Sequence, residues 1–409
     1  MSAFGLFSLL IAAAALLSFA NQRLARLPAT IGITVLSLGV SLLMIATGKL
    51  VGGHAWAAAT VASINFQAVV LHGLLAFLLF AGAMHIDLLD LHKQRLPILA
   101  LSVLSTVLST VLIGLLSWGV FRAIGFALPL YSCLLFGALI SPTDPVSVLA
   151  IMRRVGMPKN IETQLAGESL FNDGVGAVLF ITMLEATSGG QLPHFGHLLR
   201  LLVLEAGGGI LIGLAGGFLC KQLLRRVDDY QTEILLTLAL AMGGYALADA
   251  LHLSAPLEAV AAGLSLGGGY GAKAISENAR DYVDKFWDLI DGIMNALLFM
   301  LLGLEMLEMR MDASVLLAGV LAIPVVLLAR WVSVAGVIVP LRFRTQHIRG
   351  AVLLLTWGGL RGGLSLALAL SLPQDQYRSL LLPVTYIVVV FAIVVQGLTV
   401  QKLMERVVR

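Results

Sequence analysis

Apolar windows of bilayer-crossing length recur along this chain, at roughly 3–20, 28–47, 66–86, 96–119, 127–151, 163–186, 197–220, 232–251, 255–270, 286–306, 313–340, 350–371 and 379–402. Crossing a hydrocarbon layer takes about 20 apolar helical residues, and lipid offers no partner to a free backbone group, so the chain is confined to a bundle of membrane helices. The ninth window is short and glycine-rich, which makes the count about 13 with twelve as the alternative. Residues are 59% hydrophobic and 12% charged, which excludes an ordinary soluble α/β protein. A net charge of +3, scattered over short loops, gives no nucleic-acid surface. Cys133 and Cys220 fall in apolar segments and read as buried thiols rather than a disulfide. The first window lacks a basic leader region and reads as a retained span. With no soluble domain expected at either end, the whole of 1–409 reads as one integral-membrane unit.

Loop charges orient the bundle. Loops on the face reached after the first span hold nineteen Lys and Arg, against five on the opposite face, and the bias alternates correctly at every loop. By the positive-inside rule the N-terminus is outside and the C-terminus cytoplasmic.

Two spans are interrupted. Ser141-Pro-Thr-Asp-Pro145 sets two prolines in the fifth, each removing a backbone donor and disfavouring helix in the residue before it. Trp357-Gly-Gly-Leu-Arg-Gly-Gly363 surrounds a charge with four glycines in the twelfth. Broken spans seven apart run oppositely if 1–186 and 232–409 are inverted six-helix repeats joined by a connecting span in 187–231. Discontinuous helices at corresponding places in two repeats point to a midplane ion site in a transporter.

A third polar stretch, Gly167-Glu-Ser-Leu-Phe-Asn-Asp-Gly174, runs into apolar sequence through Ile181. A carboxylate at bilayer depth is costly and marks function by default. At 100° per residue Ser169 and Asp173 share a helix face with Asn172 beside them, while Glu168 points about 140° from Asp173. The two acids therefore have different tasks. Asp173, Asp144, Ser169, Thr143 and the Asn172 carbonyl form an all-oxygen set, which suits Na⁺ or another alkali cation rather than zinc or iron. Arg361 cannot stay unpaired in hydrocarbon, and Glu168 is its expected partner in a structural ion pair. That leaves Asp173 without a basic neighbour, open to competition between protons and cations. Glu185, Asp228, Asp229, Glu233 and Asp249 lie near span ends and read as solvated caps. Glu258, Asp291, Glu305 and Arg330 look deeper, with a secondary ion pair or an access funnel weighed equally against a role in binding. His85 reads as an interfacial histidine, with pH sensing as the alternative. Gly207–Gly209 and Gly267–Gly269 lack the context of a phosphate loop and read as sites of close helix packing.

Thr143-Asp144-Pro145, Glu168-Ser-Leu-Phe-Asn-Asp173, Phe286-Trp287 leading to Leu301-Leu-Gly-Leu304, and Gly359-Leu-Arg-Gly362 resemble, in that order, the motifs of monovalent cation/proton antiporters of the NhaP and sodium/proton exchanger type. The resemblance implies an inverted-repeat fold with crossed unwound helices, a core domain, a dimerisation domain in a homodimer, and one-for-one exchange. It assigns Asp173 as ion carrier, Asp144, Thr143, Ser169 and Asn172 as site lining, and Glu168 with Arg361 as a structural pair. Asn172, in place of an aspartate, resembles the electroneutral branch. The chain departs from some relatives at Leu78-Leu-Phe80, followed here by Ala81 rather than an acid, and the long tail of the eukaryotic exchangers is absent.

The function expected is exchange of cytoplasmic Na⁺, or Li⁺, for external H⁺ by alternating access, serving pH and sodium homeostasis in a bacterial or archaeal inner membrane without a cofactor. K⁺/H⁺ antiport stays open, because cation size is decided by sub-ångström geometry. From other classes, an intramembrane protease is suggested by Gly363-Leu-Ser365 but lacks a well-placed histidine. A passive channel would show no obligatory counter-transport.

Overall fold

A computed structural model of the chain describes residues 3–51, 69–189, 202–268, 274–307, 311–341, 350–374 and 377–408, with 196, 200 and 309. In order the helices are α1 Ala3–Ala20, α2 Ala29–Val51, α3 Val69–Met84, α4 Leu88–Lys93, α5 Arg95–Ala123, α6 Leu130–Ile140, α7 Val146–Val155 and α8 Lys159–Gly189. They continue as α9 Val203–Leu224, α10 Tyr230–Ala250, α11 Ala255–Leu266, α12 Glu277–Leu304, α13 Ala313–Leu341, α14 Ala351–Gly358, α15 Gly363–Leu370 and α16 Arg378–Val407. Among the described residues nine helices are long and apolar enough to cross a membrane. Every expected window carries helix. The protein is thus an all-α, polytopic bundle. Lys273, Arg310, Arg342, Arg344, Arg349 and Arg409, which contribute to the charge bias, lie outside the described residues, as does Gly269.

Element ends depart from the hydropathy windows where polar residues start or stop a helix. Helix α12 begins nine residues before its window, because Ser276 caps it by accepting from the Ala279 N–H (3.2 Å) and its first turns are amphipathic. Asp229 caps α10 in the same way, accepting from the Thr232 N–H at 2.9 Å. Glu233, expected as a solvated cap, is instead buried. Its Oε2 accepts from the Ser276 N–H at 3.1 Å, tying α10 to the start of α12.

The fifth and twelfth spans break where their sequences require it. Pro142 and Pro145 cannot donate to a helical ladder, so α6 stops at Ile140 and α7 restarts at Val146. Four glycines around Leu360 and Arg361 leave Gly359–Gly362 non-helical between α14 and α15. The two extended stretches cross in antiparallel fashion, with the Asp144 N–H donating to the Leu360 carbonyl at 2.8 Å. Helix α8 packs across α6, and a compact apolar cluster beneath the crossing joins Val148, Met152, Leu165, Val334, Leu355 and Leu360.

Elsewhere α11 is wedged between α9, α10 and α3. The approach is backbone to side: a Cβ on Gly209 or Gly213 would lie 2.3 Å from the Ser254 oxygen or 2.4 Å from the Glu258 oxygen. The glycine stretch beginning at Gly207 therefore serves close helix packing.

Candidate functional site

Breaking two helices at depth exposes four half-helix ends, and the charged side chains at the crossing are placed against them. Asp144 serves the positive ends. Its Oδ1 accepts from the Val146 N–H at 2.9 Å, at the start of α7, and its Oδ2 lies so near Gly362, at the start of α15, that a Cβ there would be 2.3 Å away. Arg361 serves the end of α6, where its Nη1 donates to the carbonyls of Ser141 and Pro142, the latter at 3.0 Å. Arg330, from α13, serves α14 by donating from Nη2 to the Leu355 carbonyl at 3.2 Å. A Cβ on Gly359 would sit 2.9 Å from that guanidinium, so only glycine admits it.

This arrangement corrects the expected ion pair. Glu168 pairs with Arg330, Nη1 to Oε1 at 2.5 Å, both side chains being essentially inaccessible. Arg361 is buried nearby but turns its Nη1 to backbone carbonyls. Helical spacing correctly separates Glu168 from Asp173, but choosing between two intramembrane arginines requires the rotation and depth of α13, which hydropathy does not supply.

On the opposite side of α8, the other expected residues come together. Ser169 Oγ donates to the Thr143 carbonyl, Asn172 Nδ2 donates to Thr143 Oγ1 at 2.9 Å, and the Thr143 N–H donates to Asn172 Oδ1 at 3.3 Å. Ser169 and Asn172 thus hold the unwound backbone of the fifth span against α8. Asp173, one turn beyond Ser169, makes no hydrogen bond or ion pair among the described residues. Its carboxylate and that of Asp144 line a cavity of about 120 Å³ with Thr143, Ser169, Asp291 and Ser365. Asn172 is buried behind this lining.

A second cavity, of about 340 Å³, shares Gly82, Ile86, Val146, Leu149, Ala166, Asp291 and Asn295 with the first and reaches His85, Arg153 and Asp288. Those last residues stand on the face of the basic loops. His85 Nε2 is 2.9 Å from Asp288 Oδ1, and its Nδ1 is 2.7 Å from the Ala81 oxygen, so the histidine is a rim residue away from the carboxylate cluster. Asp291 lines both cavities, whereas Arg330 pairs with Glu168. Leu78 borders the inner cavity and Ala81 is buried behind it. Phe286-Trp287 is structural: the Trp287 indole donates to Thr237 Oγ1 at 3.0 Å and lies 4.6 Å, centroid to centroid, from Phe80. Cys133 and Cys220 are free and buried, as expected. Among the described residues no group of three His, Cys, Asp or Glu is arranged to hold a metal ion in the manner of zinc or iron.

The same arrangement of helices occurs in the sodium proton antiporter MjNhaP1 from Methanocaldococcus jannaschii, which superposes with a TM-score of 0.76 at 20% identity over 99% of this chain and 98% of that one. By sequence the chain is 42% identical over 405 residues to the Na⁺/H⁺ antiporter NhaP of Pseudomonas aeruginosa, covering 97% of this chain and 95% of that relative. It is 35% identical over 355 residues to the Na⁺/H⁺ antiporter NhaH of Halobacillus dabanensis, covering 83% of each. Residues 6–406 match the family described as sodium/hydrogen exchanger, transmembrane, and the chain belongs to that family.

Proposed function

We propose that this chain is a secondary antiporter exchanging Na⁺, and Li⁺ in its place, for H⁺ by alternating access, with Asp173 as the shared carrier and no cofactor. The observation that carries the reading is the Asp173 carboxylate, free of protein partners among the described residues yet lining a cavity with Asp144 at the crossing of two broken helices. One carboxylate that holds either a proton or a monovalent cation exchanges charge one for one, and the neutral amide of Asn172 adds no second titrating group beside it. The exchange is therefore electroneutral. Asp144 balances two half-helix ends and contributes its remaining oxygen. Ser169, Asn172 and Thr143 shape the site, and the Glu168–Arg330 pair keeps the surrounding helices in register.

The larger cavity leads from the carrier to the face rich in Lys and Arg, which the positive-inside rule assigns to the cytoplasm. The conformation is thus inward-facing, with Asp288 and Asp291 drawing cations toward the site. The N-terminus lies outside, the C-terminus is cytoplasmic, and the protein works as a homodimer in a prokaryotic cell membrane, with 1–186 and 232–409 as inverted repeats around the connecting region 187–231. Relatives named as Na⁺/H⁺ antiporters favour Na⁺ over K⁺. A protease reading has no support at Ser365, whose hydroxyl contacts no base.

The test is proton flux in proteoliposomes after addition of Na⁺, Li⁺ or K⁺. Wild-type protein moves protons in response to Na⁺ at a rate unaffected by an imposed membrane potential, and Asp173→Asn abolishes the flux with its melting temperature retained. Near-normal flux through folded Asp173→Asn refutes the assignment.

A further inference from the structure

Two neutral oxygens at the carrier cavity are left without partners. Ser365 Oγ, in the first turn of α15, and Asn295 Oδ1, on α12, are both buried and make no hydrogen bond among the described residues. Their residues are 1% and 5% exposed, and both line the cavity that holds Asp173 and Asp144. A buried hydroxyl or amide oxygen is costly to leave unpaired, so two of them on residues that line one cavity beside Asp173 and Asp144 mark the place of a ligand.

The neutral groups around Asp173 are engaged with one another, Ser169 Oγ keeping its lone pairs. Asn172 Oδ1 takes the Thr143 N–H, Thr143 Oγ1 takes the Asn172 amide, and the Ser169 proton goes to the Thr143 carbonyl. Asp144 Oδ1 takes the Val146 N–H. A small, hard cation leaving water needs several oxygen ligands, and the free carboxylate oxygens of Asp173 and Asp144 supply charge without filling the shell. Further carboxylates would upset one-for-one exchange, whereas neutral oxygens replace water without changing the charge carried.

We propose that Ser365 Oγ and Asn295 Oδ1 complete the coordination of the transported monovalent cation. This rests on the Na⁺/H⁺ antiport reading and adds ligands from the second half of the chain to the α8 cluster. Ser365 belongs to the crossing itself, three residues after the Gly362 that touches Asp144. Asn295 stands on the facing wall, on a helix packed against α2 and α3, one turn from Asp291. The cation is thereby held between α8, the crossing and that wall.

The experiment measures KM and maximal rate for Na⁺ and for Li⁺ in proteoliposomes at one fixed pH, for wild type, Ser365→Ala, Asn295→Ala and Ser365→Thr. Each alanine variant should raise the KM for Na⁺ about tenfold, the effect of one ligand to a charged group, with the maximal rate nearly unchanged and the Na⁺-to-Li⁺ KM ratio altered. Ser365→Thr, which keeps the hydroxyl, should restore the wild-type KM. Ser365→Ala places a good helix former in α15 and folds, so it decides the matter even where Asn295→Ala is unstable. A wild-type KM and ion ratio in Ser365→Ala overturns the assignment. A wild-type protein that exchanges no Na⁺ overturns the antiport reading instead.

Discussion

Replacing Arg330 by methionine leaves Glu168 buried with its salt-bridge partner gone. The two groups meet at 2.5 Å and are essentially inaccessible to water, so solvent screens the pair little. Charge centres about 4 Å apart attract by about 4 kcal/mol at an effective dielectric constant of about 20. Removing one member of a buried pair costs roughly 3–5 kcal/mol, because the survivor is stranded. Both routes give about 4 kcal/mol for Arg330→Met. The double variant Glu168→Gln/Arg330→Met removes both charges, so its loss should fall at least about 2 kcal/mol short of the summed single losses. Arg361 offers the contrast. It binds carbonyls rather than Glu168, so the cycle pairing Glu168→Gln with Arg361→Met should couple by under about 1 kcal/mol. Unfolding by SDS titration in mixed micelles, followed by tryptophan fluorescence, to which the buried Trp287 contributes, measures each free energy. Stronger coupling of Glu168 to Arg361 than to Arg330 would refute the assignment and restore the pairing expected from sequence.

Gly362→Ala drives a methyl group to within 2.3 Å of Asp144 Oδ2, so Asp144 must leave its place between two helix ends; overpacking of about 1–3 kcal/mol and a large fall in maximal exchange should appear in melting and flux assays. If Asp173 carries either ion, lowering the pH protonates the group that the cation needs, so cation affinity weakens as pH falls, by at most about tenfold per unit below the carrier's pKa. High pH removes the counter-transported proton, giving a bell-shaped rate profile; a cation KM constant over about two acidic pH units would rule out single-site competition. His85 sits at the cavity rim against Asp288, so His85→Ala should leave that profile in place, and a displaced profile would identify a separate sensor.

Much of this was legible because it is written locally. Pro142 and Pro145, two prolines within four residues, cannot both be carried by a helical ladder, and the 100° step puts Ser169 and Asp173 together while turning Glu168 away. The ends of α12 and the burial of Glu233 were not legible, since a cap at Ser276 and a contact between α10 and α12 leave no mark in a hydropathy window. Asn295 and Ser365 carried only a weak signal, a neutral polar group inside an apolar run, which membrane helices also use simply to adhere.

The sequence by itself determined the membrane-helix class, the two interruptions, the orientation bias and the inventory of charges needing burial, because hydropathy, proline chemistry and helical spacing act over a few residues. Tertiary structure alone decided how those charges were shared. Arg330 and Arg361 are both intramembrane arginines, and only the packing of α13 beside α5 and α14 brings the first to Glu168 while the crossing delivers the second to the carbonyls of Ser141 and Pro142. Which buried charge meets which depends on helix rotation, depth and tilt across more than 160 residues of intervening chain, as in the contact between Glu168 and Arg330 at a separation of 162. Those quantities are fixed when the whole bundle packs, and no local pattern encodes them.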